Sequence, residues 1–448
     1  MPRSSARLCA PQVWAGPECS RLEVGGALRD QLSETGHAER LEDLDTLGRT
    51  GASAVRYPIL WGRDGDPTDW DWATSRLMRL RDLGIEPIVG LLHHGFGPQH
   101  PLAPGFADAF AGYAATVAQR FPAIRSWIPV NEPLTTARFS GLYGWWGPGG
   151  RDHGTFVRIL LAQCLAQRAA SRAIRARRPG ARILVTEDMG STTGTPDVRD
   201  NVHNDTLRRW LTFDLLTGRV HRRHPLYGYL AAQLEDTDDL DLLHRDPEPP
   251  DILGLNYYVT SDRHLDHRLE RYPEHLHGGD GRRAYVDVEA VRVADATVQG
   301  WDGVIAAAWR RYGIPLALTE VHLAGEMDDQ VAWWREAWLA ARAATATGIP
   351  MTGVTAWAVF GACDWESLLR LRGRHEPGCL VGSGTAGETD LSRAIRHTAL
   401  TGEAPPGAPG WWRRPERVRY GASPDTPIAG RGWKEPASAP TGAVSAAP

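Results

Sequence analysis

Trp127-Ile128-Pro129-Val130-Asn131-Glu132-Pro133 is the stretch that decides how this chain is read. A short apolar run ends in an Asn-Glu pair, and Pro133, which has no amide proton for a sheet ladder, closes the strand. Far downstream, Leu316-Ala317-Leu318-Thr319-Glu320 repeats the arrangement, again with a carboxylate at the C-terminal end of an apolar run. Parallel strands covered on both faces read as such continuous runs. In a (β/α)8 barrel their C-terminal ends line the mouth where chemistry is done. One strand-end glutamate says little. Two, on runs that count as the fourth and seventh of eight, predict an α/β protein with a TIM-barrel fold and both carboxylates at one pocket.

The rest of the chain supports that count. Strand-like runs fall at Pro11–Ala15, Ala54–Pro58, Pro87–Leu92, Trp127–Val130, Arg182–Thr186, Ile252–Tyr257, Leu316–Thr319 and Val354–Val359. Between them lie helix-period segments at Gly36–Gly48, Trp72–Leu83, Phe106–Arg120, Thr155–Arg177, Thr206–Leu216, Gly303–Tyr312 and Asp328–Thr347. Gly84, Gly313 and Gly348 follow the last periodic residue, where a left-handed C-cap favours glycine. A doubly wound open sheet would alternate similarly, but no Gly-rich phosphate turn follows an early strand. Long insertions at Phe139–Gly154, Thr260–Asp287 and Cys363–Glu388 follow strands four, six and eight, so they emerge on the mouth side. The barrel is expected to occupy residues 1–402. Residues 403–448 form a Pro/Gly/Ala-rich tail, partly disordered, whose Trp411-Trp412-Arg413-Arg414 patch is expected to dock on the barrel exterior.

Composition narrows the function. A net charge of −4 gives no electrostatic case for nucleic acid or an anionic membrane. The basic residues are nearly all Arg; a lysine, Lys434, sits in the tail, so Schiff-base chemistry lacks a nucleophile. Five scattered cysteines without a CxxC pair fit reduced thiols, and the N-terminus lacks an apolar signal segment. The expected location is therefore the cytoplasm. His221 and His224, and His264, His267, His275 and His277, lack the helical spacing of a zinc site, so no metal and no cofactor is expected. Trp, at 18 residues, outnumbers Tyr at 11 and Phe at 8. Indole faces stack on sugar C–H faces as well as in cores, and composition does not choose between the two uses.

At this point the motifs carry a resemblance. Val55-Arg56 followed by Pro58-Ile59-Leu60-Trp61, then Val130-Asn131-Glu132-Pro133, Leu253-Gly254-Leu255-Asn256-Tyr257-Tyr258 and Thr319-Glu320 occur in the order of family 1 glycoside hydrolases, the β-glucosidase type. The chain resembles a divergent actinobacterial branch of that family, some members of which are fused to a sugar-nucleotide reductase domain. The resemblance implies a retaining β-glycosidase acting on a small glycoside, with Glu132 as acid/base and Glu320 as nucleophile. It further implies that Arg56 holds Glu320 ionised, Tyr258 orients it, and Asn131 donates to the sugar 2-hydroxyl. His93, Asn256 and Trp357 match substrate-contact positions of the family.

Several positions depart from the pattern. The early Gln that holds the outer hydroxyls matches Glu23 here, in a poorly aligned segment. The eighth-strand loop presents Asp364 then Trp365 in place of Glu-Trp. His94 replaces a Trp, and Val321-His322 follow Glu320 where Asn-Gly is usual. Altered recognition around retained machinery implies a glycone other than plain glucose, such as a 6-deoxy or amino sugar, with Glu23 and Asp364 as the motive. The drifted contacts leave an alternative open: a sugar- or sugar-nucleotide-binding partner of a reductase or glycosyltransferase. Glu187-Asp188, ending the fifth strand, has no chemical part in the family and is expected to support the pocket.

Overall fold

The computed structural model describes residues 10–62, 70–379 and 388–421. The far end of the tail, with Lys434 and its expected disorder, lies outside the described residues. Eight parallel strands close on themselves: β1 (Gln12–Ala15), β2 (Ala54–Pro58), β3 (Glu86–His93), β4 (Ser126–Asn131), β5 (Arg182–Asp188), β6 (Ile252–Asn256), β7 (Leu316–Val321) and β8 (Met351–Ala356). Each pairs with its neighbours in sequence, and β1 closes the ring on both β2 and β8. The protein is a (β/α)8 barrel, as the spacing of the apolar runs predicts.

The floor of the barrel is a layer of inward side chains, Trp14, Ala54, Ile88, Ile128, Leu184, Ile252 and Ala317. Trp14 fits because the facing position on β8 is Gly353, where a Cβ would stand 2.3 Å from the indole. Large faces small, as close packing of a barrel interior demands. Registry with β1 places β8 at Met351–Ala356, so it starts and stops earlier than the apolar run Val354–Val359 implies. Trp357 consequently stands just beyond the strand end.

Outside the ring lie helices α1 (Asp43–Gly48), α2 (Asp71–Asp82), α3 (Phe106–Arg120), α4 (His153–Arg177), α5 (Arg199–Arg208), α6 (Leu211–Leu216), α7 (Asp238–Arg245), α8 (Gly300–Tyr312), α9 (Met327–Ala346) and α10 (Asp390–Thr401). Two expected helices differ in the structure. The Gly36–Gly48 segment is helical only from Asp43, because Gly36 adopts φ +75° and starts a series of turns. The Thr206–Leu216 segment is two helices broken at Arg209-Trp210. Helix α10 escapes the periodicity analysis, although Thr389 caps its start and Gly402 (φ 71°) its end. It packs on α9, where Trp334 Nε1 donates to Thr398 Oγ1 at 3.1 Å.

Two insertions build the rim. Arg263–Asp266, His277–Gly279 and Ala284–Glu289, from the insertion after β6, form a small sheet with Thr192–Gly194. The Phe139–Gly154 insertion folds Trp146 inward to 1% exposure. In the tail, Trp412 is buried on α9, with its indole N–H donating to Glu336 at 2.9 Å and its ring edge-on to Trp333. No helix among the described residues is long and apolar enough to cross a membrane.

Candidate active site

A missing side chain organises the site. Gly254, in the middle of β6, faces the barrel interior, and a Cβ there would lie 2.5 Å from the Thr186 methyl and 2.7 Å from the Thr319 hydroxyl. The space it leaves admits both threonines, each of which fixes an asparagine. Thr186 donates to Asn131 Oδ1 at 2.7 Å, and Thr319 donates to Asn256 Oδ1 at 2.6 Å. With both amide oxygens held, both NH2 groups turn toward the mouth. Gly254→Ala is expected to cost about 1–3 kcal/mol by overpacking. Its loss of kcat is expected to exceed that of a methyl added elsewhere in the floor, read by thermal unfolding alongside steady-state kinetics.

Glu132 and Glu320 stand at the ends of β4 and β7, 3% and 2% exposed. Asn256 Nδ2 donates to Glu132 Oε1 at 2.6 Å, so Asn256 holds this carboxyl rather than being free for a ligand. Arg56 donates to Glu320 Oε1 at 3.0 Å through Nη1 and to Asn131 Oδ1 at 2.8 Å through Nη2. The Tyr258 hydroxyl donates to the other oxygen of Glu320. Asn131 Nδ2 faces His93 and His94 at 3.4 and 3.5 Å. One cation and one phenol thus grip Glu320, while the Asn256 amide donates to Glu132.

The two carboxylates differ electrostatically. Burial raises Glu132 well above the ordinary carboxylate range, and the negative charges of Glu320, Glu187 and Asp188 push it the same way. Burial and Glu320 also raise the Tyr258 phenol, which stays protonated and able to donate. A protonated Glu132 opposite an ion-paired Glu320 is the division of labour a carboxylic acid and a carboxylate nucleophile need.

Glu187 supports the Glu132 segment from behind. Its carboxylate accepts from Leu134 N at 2.8 Å, Thr135 N at 3.2 Å, Thr135 Oγ1 at 2.9 Å and Thr212 Oγ1 at 2.7 Å. The first two are free amides at the start of the short helix Pro133–Ala137, so Glu187 anchors the chain just after Glu132, whose φ is +46°. Burial lifts the Glu187 carboxyl from 4.5 to about 7. A raised folded-state value means its stabilising share is complete below the unfolded value and is lost as pH rises through about 7. Thermal stability is expected to fall through this group as pH rises from about 4.5 to about 7. Glu187→Gln is expected to flatten that slope.

The aromatic and outer residues complete the geometry. Trp357 carries Arg56 over its ring at 4.5 Å and stacks with His93 at 5.5 Å and 12°. His94, with φ +55°, packs on Trp146 and Trp365, and its Nε2 lies 3.5 Å from Glu132 Oε2. Burial lowers His94 to about 3, so it is neutral. Trp365 therefore reaches the rim of the site. Asp364 does not offer a free carboxylate: Oδ2 accepts from Arg29 and Oδ1 from the Arg374 amide, both at 2.7 Å. Glu23 is exposed on the hairpin Arg21–Val24/Ala27–Asp30.

The carboxylate beside His93 and Trp357 is Glu18, not Glu23. It is 4% exposed, and Trp357 Nε1 donates to its Oε2 at 3.3 Å. His93 Nε2 lies 3.9 Å from Oε1. The signal that finds Glu132 and Glu320, a carboxylate just past a strand end, also marks Glu18 three residues after Ala15; the later Glu23 draws the match away from it. Thr186, Thr319 and Trp146 carry no such signal. No group of three or more potential metal ligands is clustered among the described residues.

This geometry belongs to a carbohydrate-active barrel, and sequence comparison gives the family. The model of glycosyl hydrolase family 1 matches residues 38–370, and the chain belongs to that family. Beta-glucosidase A of Thermotoga maritima is 22% identical over 362 residues, 72% of this chain and 77% of its own length. A bifunctional beta-D-glucosidase/beta-D-fucosidase of Bifidobacterium breve is 26% identical over 422 residues, 79% of this chain and 85% of its own. The solved family 1 β-glucosidase from Thermotoga maritima superposes with a TM-score of 0.70 at 18% identity, covering 89% of this chain and all of its own. The protein is a glycoside hydrolase of the β-glucosidase-like type.

Proposed function

We propose that this enzyme hydrolyses a small β-glycoside with retention, through a glycosyl-enzyme on Glu320. The observation that carries the reading is the asymmetric grip on the two glutamates: Arg56 and Tyr258 donate to Glu320, while Glu132 is buried beside Asn256 with no ion-paired arginine among the described residues. In the first step Glu132 gives its proton to the leaving oxygen as the C–O bond breaks, and a Glu320 oxygen bonds the anomeric carbon from the opposite face. In the second, ionised Glu132 takes a proton from water, the water oxygen bonds the anomeric carbon, and Glu320 departs. Asn131 Nδ2 is the donor available to a 2-hydroxyl, where a contact tightens as the ring gains positive charge.

The β configuration is supported by relatives named for glucosides and fucosides. Transglycosylation to an alcohol would use the same residues and differ only in what attacks the intermediate. No observation favours the alternative of a sugar- or sugar-nucleotide-binding partner of a reductase or glycosyltransferase. Proton NMR of a hydrolysis mixture tests the mechanism: the β anomer appears first under retention, whereas initial α product overturns it.

A further inference from the structure

Three carboxylates converge on this site, and the mechanism uses two. Resting on the glycosidase reading, we propose that Glu18 recognises a protonated amine on the glycone, so that the preferred substrates are β-glycosides of amino sugars with a free amine. Glu320 addresses the anomeric carbon, so the amine read by Glu18 lies on another carbon of the same ring.

Hydrogen bonding leaves Glu18 with unused capacity. Its Oε1 accepts from Ser20 N at 2.9 Å and Ser20 Oγ at 2.6 Å. Among the described residues its Oε2 accepts from the Trp357 indole alone, at 3.3 Å, although a carboxylate oxygen has room for two donors. That oxygen sits at the edge of Trp357, beside the His93 ring stacked upon it.

Charge points the same way. Arg56 spends both terminal nitrogens on Glu320, Asn131 and the Thr319 carbonyl. Burial lowers His93 and His94, so neither supplies a cation. His322 is engaged by Glu376 and the Trp357 carbonyl. Arg56 is ion-paired with Glu320, which leaves Glu18 without a cation of its own among these groups. Burial pushes Glu18 up to about 7, the behaviour of a carboxyl without a paired cation. An ammonium on the substrate supplies that cation and favours the ionised form.

Asp364 and Glu23 are unavailable for this role, since Asp364 is paired with Arg29 and Glu23 is exposed. The test compares kcat/KM for aryl β-glycosides of 3-, 4- and 6-amino sugars, their N-acetyl forms and the parent glucoside, galactoside and fucoside. The wild-type enzyme is expected to prefer one free amine over its N-acetyl and hydroxyl counterparts by about 10–100-fold, the range of a charge-assisted hydrogen bond. Glu18→Gln, close in size, is expected to erase that ratio. If that variant folds poorly, the wild-type ratio decides alone.

Turnover of neutral glycosides with retention and no amine preference overturns this inference and leaves the glycosidase reading standing. An amine preference that survives in a folded Glu18→Gln also overturns it. Failure of every glycoside to turn over or to label Glu320 overturns the glycosidase reading itself.

Discussion

Replacing Glu320 by glycine is expected to lower kcat/KM on an aryl β-glycoside by about 10⁵-fold or more, the scale of losing a covalent nucleophile. Adding azide is expected to restore turnover and to yield the α-glycosyl azide. The structure gives the reason for both results. Glu320 is 2% exposed, and its two oxygens occupy the donors of Arg56 and Tyr258. Removing the carboxylate leaves a small hollow lined by those donors, which suits an anion. Azide entering there attacks the face that Glu320 would have used, and the leaving group still receives its proton from Glu132. A β-azide product, or a variant that keeps more than about a hundredth of the activity, is inconsistent with Glu320 as nucleophile.

Glu132→Ala should behave differently. For substrates with poor leaving groups the loss is expected to be about 10²–10⁴-fold, the usual share of general acid catalysis. For a dinitrophenyl glycoside, whose leaving group needs no proton, the first step should be far less affected and glycosyl-enzyme should accumulate. Azide should then give the β-glycosyl azide, formed in the second step from the face the leaving group vacated. The pH profile supplies a second reading. Since burial and Glu320 raise Glu132, wild-type activity is expected to fall as pH rises through its titration, because the protonated form is the reactive one. That limb should vanish in Glu132→Ala, and its survival would assign the acid to another group.

Much of this architecture is legible in the chain because buried parallel strands write themselves as uninterrupted apolar runs. Ala54–Pro58 and Phe106–Arg120 appear in the structure with the bounds the pattern implies. Both glutamates are legible for a related reason: a carboxylate is out of place at the end of a buried run unless something uses it. The exceptions have physical causes. The position of β8 is set by pairing with β1, and the apolar run itself, which continues through Trp357 to Val359, does not show where pairing stops. Glu18 lies behind Gly16-Pro17, where a hairpin brings a second glutamate into competition, and only the fold separates a buried carboxylate from an exposed one. The parts played by Thr186, Thr319 and Gly254 are invisible locally, since each matters through a neighbour on another strand.

The most direct measurement is mass spectrometry of the peptide labelled by activated 2-deoxy-2-fluoro-β-glycosides, whose fluorine slows release of the trapped sugar. One sugar per chain, on the peptide bearing Glu320 and absent from Glu320→Gln, is the predicted result. A label on any other carboxylate, or turnover with no covalent species under conditions that trap one, contradicts the assignment of residues 132 and 320 as partners across a single glycone.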